Sequence, residues 1–296
     1  MIDAPSSTWF SASPGWHWLI VLYFFIGGLA GGCYFLAALV DLVGRPEDRP
    51  LARLGYLVAL PAIVVSGLLL LFDLARPPRF WHLFVGSNSG QLMFKSWSPM
   101  STGSWALLVF GVFSLLSALA AAAEAGWLPW RRAARLRPPG ALGIVVTVLG
   151  AFFGLYITGY TGVLLAVTSQ PVWADSSLIG MLLVVSATSI SAALLILLSQ
   201  SSSPALRRLE VQLIALELLV LIALVFSLGG AARALLLPHN LLLLLGVLLL
   251  GIALPLLLHW RDSLGRRSFA AAPVLVLVGG FLLRTLVVFA PYGIGR

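Results

Sequence analysis

The stretch Phe72–Trp105 concentrates the side chains able to do chemistry. It reads F-D-L-A-R-P-P-R-F-W-H, then a segment rich in Gly, Ser and Asn, then K-S-W-S-P-M-S-T-G-S-W. It holds one acid (Asp73), three cations (Arg76, Arg79, Lys95), one histidine (His82) and three tryptophans (Trp81, Trp97, Trp105). Apolar runs flank it, Leu57–Leu71 before and Ala106–Ala123 after. The pattern predicts a long polar connection between two membrane helices that faces a partner protein and roofs a small-molecule site. Asp73 is placed to relay protons from outer water. Arg76, Arg79, His82, Lys95 and Trp97 are placed to dock the partner.

The elements that position these groups follow from composition. Charged residues are 9% of the chain and apolar residues 60%, against roughly 25% charged in a soluble domain. The apolar runs reach bilayer-spanning length, about 20 residues. The net charge of +8 then follows from loop cations under the membrane's own electrostatic bias, without nucleic acid. One cysteine, Cys33, excludes an internal disulfide and cannot alone hold an iron–sulfur cluster, which takes about four ligands. Met1–Trp16 has no Lys or Arg, so no cleavable signal is expected.

Eight spans are expected, at His17–Val43, Leu51–Phe72, Trp105–Glu124, Ala141–Val167, Ser176–Ser199, Leu209–Leu228, Asn240–Trp260 and Ala271–Ala290. In lipid each backbone must bond within its own helix. The fold class is therefore all-α, a polytopic bundle of eight transmembrane helices. Residues 1–296 form a single integral membrane domain, with 73–104 as the long outer connection. With both termini outside, the inner loops hold Arg45, Arg49, Arg53, Arg131, Arg132, Arg135, Arg137, Arg207, Arg208, Arg261, Arg266 and Arg267. The outer segments hold only Arg76, Arg79, Lys95, Arg233 and Arg296. The positive-inside bias thus sets both termini on the periplasmic side of a bacterial inner membrane. Gly27–Gly32 (G-G-L-A-G-G) and Gly150, Gly154, Gly159 and Gly162 have small-xxx-small spacing for close helix packing.

On these spans His17, Tyr23, Asp73, Tyr156, Tyr160, Thr161, His239 and Arg284 fall toward the outer face. A charge within a span costs roughly 2.5–3.5 kcal/mol on insertion scales, so Asp73 and Arg284 are expected to pair or to line a wet pocket. Plainer roles exist for each. Asp73 fits a helix-end cap, His17 between Trp16 and Trp18 an aromatic anchor, Tyr160 a packing residue, and Arg284 a structural pair. Asp41, Glu124 and Glu210 are expected to face cytoplasmic water. Glu217, deeper, is a candidate proton relay, although one carboxylate does not make a channel.

Five motifs together resemble the NrfD-like family, the membrane subunits of polysulfide-reductase-type complexes. They are W-H-W at Trp16–Trp18 with G-G-L-A-G-G, D-L-A-R-P-P-R-F-W-H at Asp73–His82, and S-P-M-S-T-G-S-W at Ser98–Trp105. The others are Y-T-G-V-L-L-A at Tyr160–Ala166 with P-V-W at Pro171–Trp173, and G-G-F-L-L-R at Gly279–Arg284. The resemblance covers nearly the whole chain. It implies a pocket for menaquinone or ubiquinone near the outer face and no haem. It also implies a four-cluster iron–sulfur subunit docked outside, wired to a molybdopterin or other redox subunit. The family's pocket tyrosine falls on Tyr160. Where the family carries polar ligands in helix one, this chain has Ile20 and Tyr23. Quinone reduction takes two electrons and two protons, so positioned donors help; Tyr160, Tyr23, His17, Asp73 and Arg284 are the quinone-site candidates. Three rivals stand beside this reading: a haem b subunit built on His17, His82, His239 and His259, a secondary transporter, and a structural anchor for an external enzyme.

Overall fold

The computed structural model describes residues 15–86, 90–199, 204–260 and 266–292, without the side chains of 131 and 266–269. Eight helices are long and apolar enough to cross a membrane. They are α1 (Trp18–Val43), α2 (Arg49–Asp73), α3 (Pro99–Glu124), α4 (Ala141–Ala166), α5 (Leu178–Ser199), α6 (Pro204–Ser227), α7 (Pro238–Trp260) and α8 (Arg266–Phe289). α7 is α-helical over Pro238–Gly246 and Leu254–Trp260, with a π segment at Val247–Ala253 between. The protein is an all-helical integral membrane protein.

α3 begins six residues before the expected Trp105. Ser98 accepts a bond from the Ser101 amide at 3.5 Å, and Pro99 opens the helix, the usual roles of a hydroxyl cap and a first-turn proline. The S-P-M-S-T-G motif is therefore helix rather than connection. The connection that remains, 74–98, is itself folded. A 3₁₀ helix spans Pro77–Leu83, and Val85 and Leu92 form an antiparallel bridge. Trp105 Nε1 donates to the Met93 carbonyl at 2.9 Å. The Gly/Ser/Asn segment at Ser87–Ser89 lies outside the described residues, as do the residues before Gly15 and the cations Arg261 and Arg296.

The polypeptide divides into two compact units: Leu22–Thr158, and Met1–Val21 with Gly159–Arg296. In the first, Tyr34, Tyr56, Phe110 and Ile157 are buried together with the alanines of α1, α2 and α3. Glycine permits the closest approach between helices: a Cβ on Gly31 would strike the Gly154 carbonyl, and one on Gly150 would strike the Tyr34 ring. In the second, a Cβ on Gly162 would strike Gly180, and one on Gly279 would strike Gly251. Trp173 is fully buried there, packs at a tilt against Trp16 at 4.6 Å between ring centroids, and donates to the Val287 carbonyl at 2.6 Å.

Two expectations about carboxylates are overturned. Asp41 and Glu210 do not face water. The Asp41 side chain is 1% exposed and that of Glu210 is fully buried, each against a basic partner. Asp41 accepts from Arg137, and Glu210 lies 3.0 Å from His259 Nε2. A carboxylate at a helix end is drawn inward when a cation from a distant segment can meet it there, since a paired charge is far cheaper to bury than a lone one.

Candidate functional site

Within the unit Gly159–Arg296, α4 presents Tyr160 and Thr161, 7% and 5% exposed. α8 presents Arg284, 1% exposed. Its Nη1 donates to Ser186 Oγ of α5 at 3.0 Å and to the Gly280 carbonyl at 2.7 Å. Glu217 of α6 is buried within electrostatic reach of Arg284 and within hydrogen-bonding reach of Ser186 and Ser189. Ser189 Oγ is fully buried without an aligned bond of its own. Glu217 thus lies beside the intramembrane arginine. Three helices supply one cation, one carboxylate and two hydroxyls, a set that can hold a polar ligand edge or hand a proton between hydroxyl and carboxylate.

The same unit orients Trp173 through an unusual turn. Val172 has φ of 71°, left-handed backbone that a β-branched residue rarely adopts and that costs on the order of 1–3 kcal/mol. Asp175 Oδ2 accepts from the Val172 amide at 2.9 Å and helps hold the turn. The P-V-W motif is therefore a strained corner that drives an indole onto Trp16 and onto the α8 backbone one turn from Arg284. Sequence reading named Trp173 only as a motif letter, and Trp16 only as a motif letter and a flank of His17.

The remaining candidates are distributed as follows. His17 is exposed at the start of α1. Tyr23, 3% exposed, lies in the unit Leu22–Thr158 and packs against Phe24 at 5.5 Å between centroids. Asp73 closes α2 in that same unit and is exposed. The connection after it displays Arg76, Arg79, Lys95 and Trp97, all exposed, with Trp97 at 79%. His82 is half-buried and stacks on Trp81 at 3.7 Å between centroids. The docking candidates therefore lie on one connection that follows Asp73, and all but His82 are exposed.

Sequence reading missed a second buried charge cluster, where Arg137 lies just before α4. Its Nε and Nη2 bond both oxygens of Asp41 at 2.9 and 2.6 Å, and its Nη1 bonds Glu124 Oε2. Arg49 adds a contact to Glu124 at 3.3 Å and a bond to the Pro138 carbonyl at 3.0 Å. Burial alone would lower the proton affinity of Arg137. The Asp41 and Glu124 carboxylates outweigh it and hold the guanidinium above its ordinary value. The available signal was one unmatched acid near the end of each of α1 and α3, facing the R-P-P that precedes α4.

An apolar groove of about 480 Å³ lies along α7. It is lined by Leu218 of α6 and by Leu248, Leu249, Ile252, Leu256 and Trp260 of α7. Among the described residues no three His, Cys, Asp or Glu side chains group closely enough for a metal ion.

A multispan helical protein with a buried arginine–carboxylate cluster and a polar, cation-bearing connection is a membrane component built around polar chemistry in lipid. The chain belongs to the NrfD family: residues 10–294 match the family model described as polysulphide reductase, NrfD. It is 26% identical to protein NrfD of Escherichia coli K12 over 93% of this chain and 94% of that one. It is 38% identical to a polysulfide reductase chain of Wolinella succinogenes over 26% of both sequences, so that match spans about a quarter of the relative. It is 27% identical to a selenate reductase subunit of Mesobacillus selenatarsenatis over 34% of this sequence and 21% of the relative.

Proposed function

We propose that this chain is the membrane-anchoring, quinone- or quinol-reactive subunit of a multi-subunit respiratory oxidoreductase. It exchanges electrons between the quinone pool and an iron–sulfur subunit docked on the periplasmic side, and it is not a complete enzyme alone. The observation that carries the reading is the family match over residues 10–294. The relatives named as parts of polysulfide and selenate reductases support an attached redox partner. Four clusters in that partner, a molybdopterin or other redox subunit beyond it, the bacterial inner membrane and periplasmic termini complete the proposal.

The residues present suit a quinone head group. Tyr160 is a buried hydroxyl beside the α4–α5 contact, and Arg284 and Glu217 supply a charged pair in the same unit. When bound, menaquinone or ubiquinone supplies two-electron, two-proton carrier chemistry. Tyr160 donates a hydrogen bond to a carbonyl oxygen, Arg284 stabilises negative charge, and Asp73 passes protons to outer water. Tyr23 and His17 are the further head-group candidates. Arg76, Arg79, His82, Lys95 and Trp97 form the docking surface, supported by their place on one connection and by the exposure of all but the half-buried His82.

The test is quinone reductase activity of the assembled complex carrying Tyr160→Phe or Asp73→Asn. Tyr160→Phe is expected to lower turnover roughly 10²–10⁴-fold if the hydroxyl is the proton donor, with assembly unchanged. Full activity in both variants, in an intact complex, would assign the protein as a structural anchor instead.

A further inference from the structure

The connection between α3 and α4 reads W-L-P-W-R-R-A-A-R-L-R over Trp127–Arg137, and from Ala125 to Gly140 it contains no acid. Arg137 is turned inward and bonded to Asp41 and Glu124. That bond set ties the end of the connection to α1 and α3. Arg131–Leu136 is a 3₁₀ helix. Side chains three residues apart eclipse in such a helix, and three residues rise about 6 Å. Arg132 and Arg135 therefore stand one above the other on one edge. Both are exposed, and neither makes a salt bridge among the described residues.

Two indoles accompany them. Trp127 is 70% exposed and Trp130 63%. The connection runs between the end of one span at Glu124 and the start of the next at Ala141, which is head-group depth. Exposed tryptophans at that depth belong to the membrane–water boundary. Paired guanidiniums match phosphate oxygens with directed, charge-assisted bonds.

We propose that this connection is a binding site for an anionic phospholipid. Arg132 and Arg135 grip the head-group phosphate, while Trp127 and Trp130 lie along the glycerol and upper acyl chain. The basic edge is complementary to a phosphate, and the two flanking indoles at a span boundary favour a lipid over an acidic protein. The site is independent of the quinone reading. On the orientation proposed above, it faces the cytoplasmic leaflet.

Native mass spectrometry tests it on the full-length protein released from nanodiscs of phosphatidylcholine and phosphatidylglycerol. The wild type is expected to retain phosphatidylglycerol preferentially. Each arginine is expected to contribute about fivefold at the surface, so R132Q/R135Q should lose most of that preference. R132K/R135K, which keeps charge without the planar fork, should fall between. An unchanged melting temperature in both variants establishes that the fold is intact. Three results would overturn the proposal: equal retention of the two lipids by the wild type, wild-type retention in R132Q/R135Q, or displacement of the lipid by inorganic phosphate. Arginine-dependent capture of an acidic protein, without lipid preference, would overturn it too.

Discussion

Among the described residues, each compact unit buries one arginine almost completely, and the two are solved differently. Arg137 sits where three helix ends and a loop meet. It takes both oxygens of Asp41 and one of Glu124, while Arg49 supplies a second cation. The charges there balance two against two, and Glu124 and Arg49 keep about a third of their side chains in water, 32% and 36%. Arg284 lies inside α8, with one carboxylate nearby, one serine and a carbonyl of its own helix. The first arrangement is a closed staple across chain segments. The second bears its desolvation largely without water, and such a site is retained where it serves chemistry.

That contrast can be broken by substitution. The largest effect is expected from Arg137→Met, which strands Asp41 and Glu124. Breaking a buried pair from one side costs on the order of 3–5 kcal/mol, which should appear as a large drop in melting temperature in detergent. Arg284→Met should cost about 3 kcal/mol by the same reasoning. Adding Glu217→Met should return stability to within about 1 kcal/mol of the wild type, because paired removal of a buried ion pair is often neutral. Recovered stability with quinone activity still lost would separate function from scaffold at this site. No single compensating change should rescue Arg137, which has two acid partners. Glu124→Gln, at a partly exposed position, should cost only about 1 kcal/mol.

The smallest effect is a null one. The folded-state proton affinity of Arg137 is raised, so its contribution is fully present below the ordinary arginine value and fades only as pH rises beyond it. Melting temperature between about pH 7 and pH 10 should therefore show no loss traceable to the staple, with wild type and Arg137→Met separated by a constant margin.

The helical architecture was readable because apolar length in lipid leaves few alternatives. Helix ends were read less well where a cap overrides hydropathy, as at Ser98 and Pro99. The intramembrane charges Arg284 and Glu217 were visible as anomalies, but their proximity was not, because α6 and α8 are separated by a whole span in the chain. Asp41 and Arg137 were hidden for the opposite reason. Each looked ordinary at a helix end, and only the three-dimensional meeting of segments nearly a hundred residues apart gives them a common role. Counting Arg137 among the loop cations was correct by position yet missed that it is electrically neutralised.

The π segment Val247–Ala253 has a consequence for sequence drift. A wide turn of this kind amounts to one residue inserted into an otherwise regular helix. Deleting one residue there would let α7 close into uninterrupted α-helix, and because the wide turn has already absorbed the extra residue, the segment after it would keep its facing. His259 would still meet Glu210, and Trp260 would still border its groove. Homologues that lack this insertion are therefore expected to keep a histidine at the equivalent place, one position earlier in the chain, so the indel and the side chain can vary independently.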